Sequence, residues 1–291
     1  MIDDKIRTFV EVVECQNYTQ AAKNLHLTQP AVSQQIKALE NHYQQVFIDH
    51  TQKFFSLTTA GQLLYQYAKS QIHNEILFEK QLASCLPPLK IGSTLSIADY
   101  YIPDMIANTF LKAEKNCEIV VANTHTLIQK MMDGEIECAF VEGQFDTLLF
   151  EHHLFKEEHF IAIANPQHPL AQHPVTFDQL FSYPILIRER GSGTREILEN
   201  YLNQTIYNLS HFAFTMEIGS LSMIKTLLME SNAISFLYAG VVKNEILNQQ
   251  LVQLNIKNFQ MIHPMHFIYL KSNIQKDFYK QLFYSMIQPK E

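Results

Sequence analysis

Apolar side chains recur at helical spacing from the start of the chain. This spacing predicts a first amphipathic helix. Its apolar stripe consists of Ile6, Phe9, Val10 and Val13. A second, short helix is predicted for residues 17–25, with Asn17 or Thr19 as its N-cap.

A third helix is predicted from Thr28, whose hydroxyl can cap it, through Glu40, with Pro30 in the first turn, where a missing N–H costs nothing. Its narrow apolar stripe contains Val32, Ile36 and Leu39. The other face is polar and carries Gln29, Ser33, Gln34 and Lys37. Amides, a hydroxyl and a cation are groups that can contact base edges in a major groove or backbone phosphates, although many polar helix faces only meet water.

Only Leu27 and a few polar residues separate the second and third helices, which is the short turn that a helix-turn-helix needs. The segment IRTFVEVVECQNYTQAAKNLHLTQPAVSQQIKALE, followed by LTTAG at residues 57–61, resembles the winged helix-turn-helix of LysR-type transcriptional regulators. The rest of the chain resembles that family in length and layout.

This resemblance implies an N-terminal, all-α winged helix-turn-helix over residues 1–58 that binds double-stranded DNA. It also implies the residues that contact DNA, which are Thr19, Gln20, Thr28, Gln29, Pro30, Ser33, Gln34, Lys37, His50 and Lys53. The wing departs from the family pattern, because FIDHTQKFFSLT places Asp49 and His50 where relatives carry an arginine-bearing loop.

One long helix is predicted from Thr58, because the following residues contain no proline and no glycine after Gly61 until Pro87 and Pro88. Residues 59–88 then form a linker helix and a hinge. The apolar stripe of this helix comprises Leu64, Tyr67, Ala68, Ile72, Ile76 and Ala83. A small domain cannot bury so long a stripe, so we expect pairing with the same helix of a second copy; packing back on its own chain is the alternative.

From Leu89 the pattern changes to alternating strands and helices, which indicates an α/β region with a mostly parallel sheet. One continuous helix is predicted over residues 98–115. The β-α-β-α-β series occurs twice, and FIAIANPQ and MHFIYLKS are the predicted crossing strands, so two lobes with a cleft are expected. The resemblance implies an effector-binding domain at residues 89–291 that is similar to periplasmic binding proteins. Its lobe I would span about 89–163 and 267–291, and its lobe II about 164–266.

Two loops at strand ends carry groups that can hold a small anion. They are GSTLS, from Gly92, and RERGSGTRE, in which glycines let backbone approach closely and an arginine offers a fork. The predicted effector-binding residues are Ser93, Thr94, Ser96, Gly193, Thr194 and Arg195. The alternative is a pair of capped helices with Arg195 in a surface salt bridge.

Other classes of site lack support in the sequence. The histidine pairs 152–153 and 263–266 have no cysteine or acidic third ligand nearby, and the four cysteines form no C-x-x-C pair, so neither a metal nor another cofactor is expected. No hydrolase elbow or dinucleotide loop is present, so we do not expect an enzyme, although paired acid and base groups in the cleft would indicate one. A solute-binding protein would need an export signal, and the N-terminal MIDDKIR carries none. We therefore expect a cytoplasmic regulator that forms a homodimer or homotetramer, with RNA polymerase as a further candidate partner.

Charge makes a specific prediction about DNA binding. Residues 1–86 carry seven Lys and Arg against eight Asp and Glu, and residues 87–291 carry 15 against 21. Since phosphate neutralisation supplies most non-specific affinity, we expect weak non-specific binding with a shallow dependence on salt. A titration of random duplex over a series of salt concentrations measures this slope. A steep log–log slope would contradict the prediction.

Overall fold

The computed structural model describes residues 3–49, 54–82 and 88–287. The chain separates into two compact units. Unit 1 contains residues 1–87 with 132–135 and 272–274, and unit 2 contains residues 88–131, 136–271 and 275–291. Within the described ranges, no helix is both long enough and apolar enough to cross a membrane.

Three short helices form the core of unit 1. They are α1 (Asp4–Cys15), α2 (Tyr18–Asn24) and α3 (Gln29–Tyr43). The predicted apolar stripes meet at their centre, where the buried side chains include Phe9, Val12, Ala21, Val32, Ile36 and Leu39. Burial of each valine, isoleucine, leucine or phenylalanine in this set contributes roughly 1.5–3 kcal/mol, so the shared core holds the three helices together.

The starts of α2 and α3 follow from their N-cap residues. The Asn17 side chain accepts hydrogen bonds from the backbone N–H groups of Thr19 (2.8 Å) and Gln20 (3.1 Å), which decides between the two predicted caps. The Thr28 hydroxyl accepts from the N–H of Ala31 at 3.4 Å, as predicted for α3. Both caps satisfy first-turn amides that have no partner within the helix.

A small hairpin and a long helix complete the main part of unit 1. Strand β1 (Ile48–Asp49) pairs antiparallel with β2 (Ser56–Leu57), and α4 (Thr59–Leu82) follows. The Thr58 hydroxyl caps α4 by accepting from the N–H of Gly61 at 3.0 Å. The predicted long helix is therefore present, while the wing residues His50 and Lys53 lie outside the described residues.

Unit 2 begins with a run of alternating strands and helices. Its first elements are β3 (Leu89–Ser93), α5 (Leu95–Tyr100), α6 (Pro103–Ile106), β4 (Cys117–Val121), α7 (Thr124–Met132) and β5 (Cys138–Val141). The prediction of one continuous helix over residues 98–115 is wrong. Pro103 has no N–H to continue α5 and instead starts α6, which passes into a π-helical turn at Ala107–Leu111.

The remaining elements include two long strands. In chain order they are β6 (Phe150–Ala164), α8 (Phe177–Leu180), β7 (Ile185–Ile187), α9 (Gly193–Asn203), β8 (Thr215–Glu217), α10 (Leu221–Met229), β9 (Ile234–Tyr238), α11 (Lys243–Leu247), β10 (Val252–Gln253), β11 (Ile262–Leu270) and α12 (Lys276–Ile287).

These strands form two parallel groups that β6 and β11 connect. The order is β4-β3-β5-β11-β6-β9-β7-β8, and β10 also pairs with β6. Strand β3 is parallel to β4 and β5, and β7 is parallel to β8 and β9, whereas β6 and β11 run antiparallel to their neighbours. We call the β4-β3-β5 group with its helices lobe I and the β8-β7-β9 group with its helices lobe II. The sheet is thus mixed, because the crossing strands enter it antiparallel.

The C-terminal helix packs on lobe I. Phe283 of α12 stacks on Phe267 of β11 with ring centroids 5.2 Å apart. Both rings are 2% exposed or less. This contact with β11, together with packing of α12 against α6 of lobe I, accounts for the return of the chain end to the first lobe.

Gly61 tests how closely α4 packs on the loop before the hairpin. A Cβ atom at this position would lie 2.0 Å from the carbonyl oxygen of Phe47. Gly61→Ala should therefore lower the free energy of unfolding of unit 1 by about 1–3 kcal/mol, the usual cost of overpacking. In a helix with open space at this position, the same substitution would instead raise the free energy of unfolding by about 1 kcal/mol. Urea unfolding of the full chain measures the difference, with the exposed neighbour substitution Gln62→Ala as the control. A Gly61→Ala protein as stable as the control would contradict this packing.

Candidate functional site

The polar face of α3 is exposed over a buried apolar stripe. Val32, Ile36 and Leu39 are 0–3% exposed. The residues of this helix that lie on the solvent side include Gln29, Pro30, Gln34 and Lys37. Ser33 is half-buried and accepts a hydrogen bond from the Gln29 amide at 3.0 Å. The arrangement leaves amide donors and acceptors and one ammonium group available to a partner.

The predicted contacts on α2 are exposed as well. Thr19 lies in the first turn of α2, and the Gln20 amide donates to the Asn24 side chain at 2.9 Å. Thr28, the N-cap of α3, is exposed beyond the turn that joins the two helices. These residues and the polar face of α3 all belong to the helix-turn-helix of unit 1.

Several cations of unit 1 are already paired with carboxylates. Lys5 contacts Asp3 at 2.9 Å, Lys69 contacts Glu14 at 2.8 Å, and Arg7 forms an ion pair with Glu75. Lys23 and Lys37 are exposed. The described part of unit 1 therefore offers little uncompensated positive charge to a phosphate backbone, in line with the shallow salt dependence expected above.

A second site lies in unit 2, where lobe I and lobe II meet at a buried carboxylate. Glu142 follows β5 and is 1% exposed. Its Oε1 accepts from the hydroxyl of Ser96 in lobe I at 3.2 Å and from the hydroxyl of Thr194 in lobe II at 2.9 Å. The structure thus brings Ser96 and Thr194 together at an acidic side chain of the protein itself.

Glycines permit this close approach of the lobes. A Cβ atom on Gly193 would lie 2.7 Å from the backbone nitrogen of Gly143 and 2.8 Å from Cγ of Glu142. Gly191, two residues earlier, has a φ of +83°, which L side chains rarely adopt. The start of α9 can therefore reach Glu142 only because the loop before it is glycine-rich.

Burial raises the pKa of the Glu142 carboxyl above its usual range. The Thr194 hydroxyl, the charge of Arg188, and the hydroxyls of Ser96 and Thr94 oppose that shift and lower the pKa by smaller amounts. A desolvated carboxylate is costly to keep ionised, so Glu142 is sensitive to any charge or hydrogen-bond donor that enters the cleft.

Arg188 supplies the opposite charge. It follows β7, is 5% exposed, and donates from Nε and Nη2 to the Glu189 carboxylate at 2.8 and 2.9 Å. Its Nη1 is buried and has no hydrogen-bond partner among the described residues. The same holds for three further buried atoms around this cleft, which are Glu142 Oε2, Thr94 Oγ1 and Thr124 Oγ1.

Unsatisfied buried polar atoms are rare because each costs about 1–3 kcal/mol. Four of them belong to Glu142 and its neighbours, since the Thr94 hydroxyl and the Arg188 charge both act on the Glu142 carboxyl. Thr124 lies beside Glu142, since a Cβ on Gly143 would come within 2.8 Å of the Thr124 hydroxyl. A cleft with this set of unfilled donors and acceptors is suited to binding a small polar molecule.

Two other predicted residues have partners elsewhere. The Arg195 guanidinium donates to Glu199 at 2.8 Å and to Glu217 at 2.6 Å. The buried Ser93 hydroxyl donates to the carbonyl oxygen of Thr94 at 3.1 Å. The structure therefore places Arg195 in an acidic cluster of lobe II, while Gly193 lines the approach to Glu142.

Sequence reasoning missed Glu142, Arg188 and Thr124. A signal was available for the first two, because each is a charged residue directly after a run of buried strand residues, at the carboxyl end of a parallel strand.

Within residues 3–49, 54–82 and 88–287, no three His, Cys, Asp or Glu side chains are grouped so that they can hold a metal ion.

Family profiles match both parts of the chain. The bacterial regulatory helix-turn-helix profile of the lysR family matches residues 4–62, and the LysR substrate binding domain matches residues 87–282. The chain belongs to the LysR family of transcriptional regulators. The family assignment makes the helix-turn-helix a DNA-binding domain and the two-lobed region an effector-binding domain.

This chain is similar to other transcriptional regulators over most of its length. The chain is 28% identical to the transcriptional regulator CysL of Bacillus subtilis, over 99% of this chain and 97% of the relative. It is 29% identical to the regulator YeiE of Escherichia coli, over 83% of this chain and 82% of the relative.

Solved LysR-family structures share the fold. Full-length LysG of Corynebacterium glutamicum, with bound effector Arg, has a TM-score of 0.69 at 16% identity, covering 99% of this chain and 98% of LysG. The regulatory domain of Synechocystis CcmR, in complex with 2-PG, has a TM-score of 0.60 at 21% identity, covering 68% of this chain and 97% of that domain.

The buried carboxyl predicts a pH dependence. Because the folded-state pKa of Glu142 is raised, the folded protein holds this proton more tightly than the unfolded chain between the usual pKa and the raised one. Stability should fall as pH rises through that window, by at most about 1.4 kcal/mol per pH unit. Glu142→Gln removes the ionisation, so the free energy of unfolding of wild type minus that of the variant should decrease with rising pH. Urea unfolding at several pH values measures this difference, and an increase with pH would contradict the assignment.

Proposed function

We propose that this LysR-family protein binds operator DNA through the exposed face of α3, and that a small anionic effector in the cleft around Glu142 adjusts the binding. The observation that carries the proposal is the set of four buried, unpartnered polar atoms in that cleft. A regulator of this kind needs no catalytic step, and we propose that the protein is not an enzyme and acts in the cytoplasm, where operator DNA is.

The DNA-binding part of the proposal rests on side chains at the surface of unit 1. Gln29 and Gln34 present amides that can pair with adenine edges, and Lys37 can reach a guanine edge or a phosphate. We propose residues 1–58 as the DNA-binding domain, with further contacts from Thr19, Gln20, Thr28, Pro30, Ser33, His50 and Lys53. Residues 59–88 would form the linker.

The effector part rests on the chemistry of the cleft. Arg188 Nη1 and the hydroxyls of Thr94 and Thr124 are donors that an acidic group can accept from. LysG and CcmR, which share the fold, hold Arg and 2-PG respectively. We propose residues 89–291 as the effector domain, with lobe I at about 89–163 and 267–291 and lobe II at about 164–266.

Self-association would place two recognition helices on one operator. Four large apolar side chains of α4 are 41–69% exposed, and they are Leu63, Tyr67, Ile76 and Phe78. Leu64 belongs to the core of unit 1 and Ala68 is buried, whereas the exposed set is available to a second copy. We propose a homodimer through α4, a homotetramer as the larger assembly, and RNA polymerase as a further partner.

Regulation would follow from the shared carboxylate. Glu142 is held by one hydroxyl from each lobe, so a ligand that competes for Glu142 or adds contacts to it changes the free energy of lobe closure. A ligand that prefers one arrangement of the lobes shifts the population toward it, and DNA affinity changes to the extent that the two arrangements bind DNA differently.

A gel shift with the DNA upstream of the protein's own gene, with and without small candidate anions, tests the proposal. We expect a specific complex whose affinity changes with effector. Lys37→Ala should weaken it, lower the log–log salt slope by about one and leave the fold intact. Lys112→Ala removes an exposed lysine from unit 2 and serves as the matched control. Unchanged binding by the Lys37→Ala protein, or no complex with wild type, would contradict the proposed DNA interface.

A further inference from the structure

The charges in the cleft restrict the chemical class of the effector further than the requirement that the effector be anionic. The Arg188 guanidinium is already paired through two hydrogen bonds with Glu189. Glu142 has no cation at salt-bridge distance among the described residues, and only hydroxyls bind it. An ionised Glu142 therefore gives the cleft an excess of negative charge, and a ligand with only negative charge would add to it.

The hydrogen-bond inventory leads to the same restriction. A carboxylate oxygen can only accept. Glu142 Oε2 makes no hydrogen bond in the structure, and the nearby Thr94 hydroxyl also acts on this carboxyl, so a ligand that offers Oε2 a donor adds a contact that the structure lacks. Arg188 Nη1 can only donate, so it needs an acceptor. Hydroxyls at Thr94 and Thr124 can rotate to serve either end. A ligand that satisfies the cleft must bring an acceptor and a donor together.

We propose that the effector combines an acidic group, bound by Arg188, with an N–H or O–H donor, bound by Glu142 Oε2. The inference rests on the proposed effector function and narrows the chemical class of its ligand. Two sources share this chemistry. A free α-amino acid supplies a carboxylate and an ammonium group, and an oxyanion that keeps a proton at neutral pH, such as hydrogen phosphate, supplies an oxygen acceptor and an O–H. Sulfate, which keeps no proton, is excluded by Glu142.

Glu142 then acts as a specificity residue. An ionised Glu142 binds a hydrogen-bond donor and repels an oxyanion that carries no proton. Replacing it with glutamine should therefore reverse the preference for ligands with a donor over sulfate. Glutamine has nearly the same shape, carries no charge and can present its own NH₂ to an oxyanion while its carbonyl still accepts from Ser96 and Thr194. This change separates the role of the charge from the role of the shape.

Isothermal titration calorimetry of the full-length protein tests the inference with the twenty common L-amino acids, inorganic phosphate and sulfate as the probes. We expect wild type to bind at least one amino acid or phosphate and not sulfate. Glu142→Gln should weaken that ligand by about tenfold or more, the loss of one charge-assisted hydrogen bond, and should gain binding of sulfate. Glu157→Gln, an exposed position on β6, is the control and should leave every affinity unchanged.

Each other outcome overturns the inference. Sulfate that binds wild type as tightly as phosphate or the amino acids shows that Glu142 does not select a donor, and this result holds even if the variant fails to fold. If no probe binds wild type, the proposed class is wrong. The gel shift tests DNA binding by α3 separately, so neither result bears on the proposed DNA interface. Deaminated analogues of a bound amino acid distinguish the two sources, because they retain the acid and lose the ammonium.

Discussion

The arrangement of unit 2 depends on one buried carboxylate that both lobes share. Glu142 follows strand β5, and the hydroxyls of Ser96 in lobe I and Thr194 in lobe II both donate to its Oε1. Gly193 lets the start of α9 come within contact of the same side chain. Since an ionised carboxylate is costly to bury, this contact persists only if its neighbours compensate it, and they do so incompletely. The cleft is therefore sensitive to what enters it.

Unit 1 depends on a different and simpler constraint, the burial of three apolar stripes in one small core. Val32, Ile36 and Leu39 fix one face of α3 inward, so the amides and the lysine of that helix must face outward. Little net positive charge accompanies them. Direct contacts to base edges would then carry a larger share of DNA recognition than phosphate neutralisation does.

Local rules were sufficient to predict much of this protein from its sequence. Helices α1 to α3 were predicted from helical spacing, from the caps at Asn17 and Thr28, and from the resemblance of TQPAVSQQI to the LysR helix-turn-helix. Helix α4 was predicted from the absence of helix-breaking residues. The prediction failed at residues 98–115, because apolar spacing continued through Pro103 and concealed the break between α5 and α6.

Local rules also predicted part of the candidate site. Hydroxyls next to glycine at strand ends indicated Ser96 and Thr194, and both contact Glu142. Arg195 was predicted to bind an anion from its side-chain chemistry alone. In the fold its fork meets Glu199, one turn along α9, and Glu217, which sequence spacing cannot bring near. The strand-end positions of Glu142 and Arg188 could be recognised in the sequence, but their burial depends on contacts between the two lobes, which no local pattern encodes.

The most direct test of this account is a double-mutant cycle on Glu142 and Thr194, measured as the free energy of unfolding of the full chain. Glu142→Leu and Thr194→Val are compared singly and together. A hydrogen bond to a buried carboxylate predicts a coupling of about 1.5–3 kcal/mol between the two substitutions. Additive effects, with no coupling beyond about 0.5 kcal/mol, would show that the two lobes are not joined through Glu142.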